Sequence, residues 1–101
     1  MVRITKEMAE KRLADVSDDF IFRCYDGQPL KNLRELGSAF ANMESEVFVH
    51  HVTSEKNDFN NWVRDIIGDA KLAKDLGKSM NSQQAAQAVS ARIAFLESKL
   101  A

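Results

Sequence analysis

Phe59, Trp62, Val63, Ile66 and Ile67 recur at i, i+3, i+4, i+7 and i+8. On a helix this spacing gathers all of them into one apolar stripe, whereas a strand would scatter them over both faces. A stripe with so much aromatic and branched surface must be covered, so the rest of the chain has to supply matching helical faces. It does. Leu30, Leu33, Leu36, Phe40 and Met43 form a second stripe, Leu72, Ala73 and Leu76 a third, and Ala85, Val89, Ile93, Leu96 and Leu100 a fourth. Residues 5–16 read as a shorter helix with Met8, Ala9, Leu13 and Val16 inward, and Ser45 opens another through Val47, Phe48 and Val52.

Punctuation agrees with these stripes. Thr5, Asp58 and Asp69 are candidate N-caps, Asn32 pairs with Glu35 and Asn81 with Gln84 as in capping boxes (Ser82 alone could also start the last helix), and Gly68 and Gly77 stand where helices should end. Gly37 lies on the second stripe, where glycine costs about 1 kcal/mol against alanine; a close approach by another element would compensate. Between the first two helices Phe20, Phe22 and Cys24 alternate with Ile21, Arg23 and Tyr25, the period of a strand. The Asp26-Gly27 turn and Pro29 then suggest a partner around 28–30. The expected fold is mainly α, a compact bundle of five or six short helices with a small β-strand or hairpin near residues 20–30, and residues 1–101 form one domain.

Composition narrows the function classes. The 14 basic and 15 acidic side chains leave a formal charge of −1, without the field of a dedicated nucleic-acid or anionic-membrane binder. The single cysteine, Cys24, cannot form an internal disulfide, which fits a reducing compartment. The N-terminus lacks a signal-peptide pattern, and no apolar run is long enough to span a bilayer. A soluble, cytoplasmic protein is expected, with no membrane association.

Chemistry-bearing motifs are sparse. His50 and His51 are adjacent and point about 100° apart on a helix, so they do not easily share a metal, and Glu46 one turn earlier does not complete a site. The simplest arrangement leaves one histidine solvated and hydrogen-bonds the other to a nearby loop. Cys24, flanked by aromatic residues, reads as a small buried apolar side chain. There is no G-x-S-x-G turn, P-loop or G-x-G-x-x-G, and Asp18-Asp19 reads as turn sequence. The balance leans against an enzyme, and no metal or cofactor is expected.

Three groups of residues remain as candidate sites. Lys71, Lys74 and Lys78 share one face of the helix expected over 69–76, and could meet phosphates if the pair 58–67 and 69–76 docked like a helix-turn-helix. The opposing carboxylates nearby make a solvated face the blander alternative. The seam Val89, Ile93, Leu96 and Leu100 of the amphipathic helix 82–100 could pack in the core or form a homodimer interface. Around Trp62 lie His51, Lys56, Asn57, Asp58, Asn60 and Asn61. The Asn57-Asp58 pair suits an Asx turn entering an N-cap, with His51 bonding the loop, a structural latch. If exposed, the same group could receive an acidic partner at the helix N-terminus or centre a ligand-binding or enzymatic site on His51 and Asp58.

The stretch 20–76 resembles a family of small archaeal and bacterial domains of unknown function. The resemblance is carried by Phe20 and Phe22, Asp26-Gly27, Leu30, Leu33, Glu35-Leu36, His51-Val52, Asn57-Asp58-Phe59, Trp62-Val63, and Leu72-Ala73 with Leu76. It implies that these elements form one unit, singles out His51 and Asn57-Asp58, and implies no activity. The leading expectation is a non-enzymatic protein-interaction or adaptor module, able to self-associate; a nucleic-acid-associated protein is the alternative.

Overall fold

The computed structural model describes residues 3–101. Among these are six helices: α1 (Lys6–Leu13), α2 (Leu33–Ala41), α3 (Ser45–His51), α4 (Asp58–Trp62), α5 (Ala70–Gly77) and α6 (Ser82–Ser98). A two-stranded antiparallel hairpin, β1 (Phe22–Arg23) with β2 (Pro29–Leu30), lies between α1 and α2. The fold is mainly α with a small hairpin. No helix among the described residues is long and apolar enough to cross a membrane.

The capping residues act largely as their chemistry requires. Side-chain oxygens of Thr5, Asn32, Asp69 and Asn81 accept from the N–H three residues on. The α4 cap is Asn57 rather than Asp58: its Oδ1 accepts from the Asn60 N–H at 3.0 Å. Asp58 is thereby the first residue of the helix, with its carboxylate free for other partners. Gly68 ends its helix in the left-handed region at φ 85°. Gly77 does not: it is the last residue of α5, without positive φ, and Lys78 is the cap.

Three stretches are less regular than their periodicity suggests. The helix expected over 58–67 is α-helical only to Trp62, and Val63–Ile67 widens into a π-helical turn. The Val63 carbonyl accepts from both Gly68 and Asp69 N–H. The wider turn rotates the end of the stripe, so Ile67 is buried while Ile66 is only half-buried. The strand expected over 20–25 shortens to Phe22–Arg23 because Asp18–Phe20 closes a 3-10 turn, leaving Phe20 exposed. At the other end Gly27, at φ 95°, lets the chain reverse, and the Cys24 N–H still reaches the Gln28 carbonyl at 3.0 Å. α1 likewise stops at Leu13, and the Val16 N–H instead donates to the Lys31 carbonyl, pinning the entry to α2.

The core has two connected parts. Phe22, Phe40, Phe48, Phe59 and Trp62 form an aromatic cluster, with Phe59 at its centre, 4.7 Å from Phe40 and 5.0 Å from Phe22 between ring centroids. Leu33, Leu36, Leu72, Leu76, Val89 and Leu96 form the aliphatic part, where α2 and α6 make the most extensive helix contact. Gly37 permits that contact, since a Cβ there would sit 3.1 Å from Val89 Cγ1. The seam of α6 faces inward: Val89 and Leu96 are fully buried and Ile93 packs against the core half-exposed. The helix expected to reach 100 ends at Ser98, so Leu100 packs against the core from just beyond it.

Candidate functional site: the His51 latch and the ridge above it

The residues singled out around Trp62 come together. His51, at the end of α3, is 6% exposed, and its ring lies 5.1 Å from Phe22 and 5.0 Å from Phe59 between centroids. Its Nε2 accepts the Tyr25 backbone N–H at 2.9 Å. A nitrogen that accepts carries no proton, so the ring proton sits on Nδ1 and is donated to Asp58 Oδ2, also at 2.9 Å. Lys56 Nζ reaches the same oxygen at 3.1 Å. The 53–57 loop closes through an antiparallel bridge between Val52 and Asn57, with the Thr53 N–H donating to the Lys56 carbonyl.

Partial burial pushes the Asp58 carboxyl up. Hydrogen bonds from His51 and Lys56, with the charge of Lys56, outweigh that and hold it below the ordinary carboxylate value. Asn57 and Asn60 extend the latch to α5: Asn57 Nδ2 donates to the Leu76 carbonyl and Asn60 Nδ2 to the Ala73 carbonyl. Trp62 is buried, and its indole N–H donates to the Phe20 carbonyl at 2.7 Å. One cluster therefore fastens α3, α4, α5 and the hairpin.

This geometry limits the chemistry. An imidazole oriented by a carboxylate through Nδ1–H is half of the arrangement that activates a nucleophile, but the other half needs Nε2 free to take a proton. Here Nε2 is engaged by a backbone amide, and both ring nitrogens are satisfied. Asn61 lies outside the interhelical bonding and accepts from Arg64 at the surface.

The neighbouring histidine does something else. His50 is exposed, and its ring stacks on Tyr25 with centroids 3.8 Å apart and planes 18° from parallel. Tyr25 is 55% exposed, as is Val49 beside His50 at 59%. Nothing in the periodicity marks this ridge, because it joins a hairpin tip to a helix remote in sequence. The adjacency of His50 and His51 was the available signal: one ring inward and one outward.

The other candidates are dispersed. Lys71 pairs with Asp75, and Lys74 on α5 and Lys78 at its C-cap are exposed. Cys24 is buried, and burial pushes its thiol up, away from the reactive thiolate. Among the described residues no group of three or more His, Cys, Asp or Glu side chains could hold a metal ion.

One cluster escaped the sequence reading. Asp69, read only as a cap, is fully buried: Oδ1 caps α5, while Oδ2 accepts from Arg92 Nε of α6 at 2.8 Å and lies 3.6 Å from Arg12 Nη1 of α1. Arg12 and Arg92 stand on helices distant in sequence, and only the packing brings them to one carboxylate. In comparisons with known proteins, no family model, no curated protein and no solved structure matches this chain.

Proposed function

We propose that the chain is a non-enzymatic protein-interaction module whose contact face is the ridge of Tyr25, His50 and Val49. The observation that carries this reading is the exposed Tyr25–His50 stack, with the exposed Val49 next to His50 in the chain. Aromatic side chains held rigid at a surface are the usual centres of binding energy in protein interfaces, because little rotamer freedom is lost on contact. The latch lends the ridge its rigidity: His51 Nε2 holds the backbone of Tyr25, so a part-buried hydrogen bond to its backbone anchors the residue that carries the exposed ring. Asp26, next to Tyr25, and Glu46, one helical turn before His50, are exposed carboxylates, so a fitting partner has an apolar centre and a basic rim.

The inward packing of Val89 and Leu96 argues against self-association through the α6 seam, and the ridge is the better surface for a second copy as well. A photo-crosslinking side chain at position 49 is expected to form a discrete adduct in cell extract that the same group at Lys74 does not. Tyr25→Ser is expected to weaken that adduct while the protein stays folded. An adduct of twice the chain mass would identify the partner as a second copy. No adduct at 49, or one that Tyr25→Ser leaves unchanged, would end this reading.

A further inference from the structure

We infer that the cleft between α1, α5 and α6 binds a small monocarboxylic acid with an apolar stem. The cleft has a volume of about 650 Å³, within the range of small-molecule sites. Its polar wall is Arg12 and Arg92, whose side chains are only 15% and 12% exposed. Between them these arginines have one carboxylate, Asp69, and one of its oxygens is already engaged in capping α5. Among the described residues Arg92 makes a single hydrogen bond, through Nε, and Arg12 reaches Asp69 only at ion-pair distance. No buried side-chain nitrogen among them lacks a partner, so the remaining guanidinium N–H groups reach solvent, and both arginines line the cleft.

Lys71 also lines the cleft but is neutralised by Asp75, so the group as a whole carries one positive charge in excess. Ala70 and Lys71 are the first residues of α5, where N–H groups have no intrahelical acceptor and the helix dipole is positive. One added negative charge is therefore favoured. A second would meet the nearby carboxylates of Asp69 and Asp75, which disfavours a phosphate dianion. The other wall is apolar: Ala91 and Phe95 line it, and Phe95 is 40% exposed, with the Arg92 guanidinium 4.8 Å from its ring centroid. Lys99 Nζ also lies 5.0 Å from that centroid, so a carboxylate held by the arginines would lay its stem against Ala91 and the part of the ring that the two cations leave open.

The test is titration of the full chain with 3-phenylpropionate, followed by amide NMR shifts and calorimetry. Saturable binding with shifts at Ala70, Lys71 and Ala91 is expected, and binding of 3-phenylpropanol or inorganic phosphate should be weaker by about tenfold or more. Arg12→Gln should weaken the acid by about tenfold. Ala91 is exposed, so Ala91→Trp should fill the cleft and abolish binding without changing thermal stability. If Arg12→Gln unfolds the protein, Ala91→Trp decides alone. Absent saturation, shifts confined to other residues, equal affinity for the alcohol or phosphate, or full binding by Ala91→Trp would each overturn the inference.

Discussion

His51 shows how much one side chain can determine when both of its polar atoms are engaged. Replacing it with leucine keeps apolar contact with Phe22 and Phe59 but leaves the Tyr25 N–H without its acceptor and Asp58 with Lys56 alone. A loss of about 2 kcal/mol is expected in chemical denaturation, together with faster hydrogen exchange at the Tyr25 amide; unchanged exchange there would show that the bond does not hold the hairpin. Asp58 adds a pH dependence of definite sign. Its carboxyl is held below the ordinary value of 3.8 in the folded state. Its contribution is therefore fully present above that value and disappears as pH falls through the lower, folded-state value. Acid unfolding curves of the wild type and Asp58→Asn should accordingly be separated near neutrality and draw together below about pH 4. The sequence marks His51, Asn57 and Asp58 as a polar group beside an apolar stripe, and so suggests a latch. It does not indicate that the far end of the latch is a backbone amide in a hairpin, since an amide has no residue-specific signature.

At the scale of elements, two glycines report close approaches rather than turns. A Cβ at Gly37 would press to 3.1 Å on Val89, a fully buried β-branched side chain with little freedom to move. Gly37→Ala should therefore lose stability despite its better helix propensity. In a double-mutant cycle with Val89→Ala the two changes should couple favourably by about 1 kcal/mol; simple additivity would mean that the helices adjust freely. At Gly77 a Cβ would meet Asn60 Nδ2 at 2.8 Å, so alanine there should displace the bond from Asn60 to the Ala73 carbonyl. The expected cost is about 1 kcal/mol, measured by thermal unfolding, and Asn60→Ala should largely abolish the difference between glycine and alanine at 77. Helix number, facing and most caps were legible from period and cap chemistry; the Asn57 cap of α4 and the end of α5 at Lys78 were not. The π-helical turn at Val63–Ile67 was not, because an extra residue per turn leaves an apolar pattern nearly unchanged over one turn.

For the whole molecule, the buried contact of Asp69 with Arg12 and Arg92 joins the first, fifth and sixth helices through one carboxylate. Asp69→Ala removes a helix cap and leaves two largely buried guanidiniums uncompensated, so a loss of about 3–5 kcal/mol is expected. Arg12→Met should cost less, because its approach to Asp69 is 3.6 Å against 2.8 Å for Arg92. Thermal unfolding of the three variants, with Arg92→Met as the third, gives the order directly; equal losses for both arginines would contradict the geometry.

Local chemistry in the sequence determined the helices, their caps, the reversal at Asp26-Gly27 and the inward face of each amphipathic element, because these follow from spacing and from a few neighbouring residues. Only the tertiary structure decided which polar groups meet. The Tyr25 amide at His51, the Tyr25 ring on His50, and Arg12 with Arg92 at Asp69 each join segments that are far apart along the chain, and each is positioned by packing that no local period encodes. The candidate surfaces depend on those long-range meetings, so the fold was readable before its sites were.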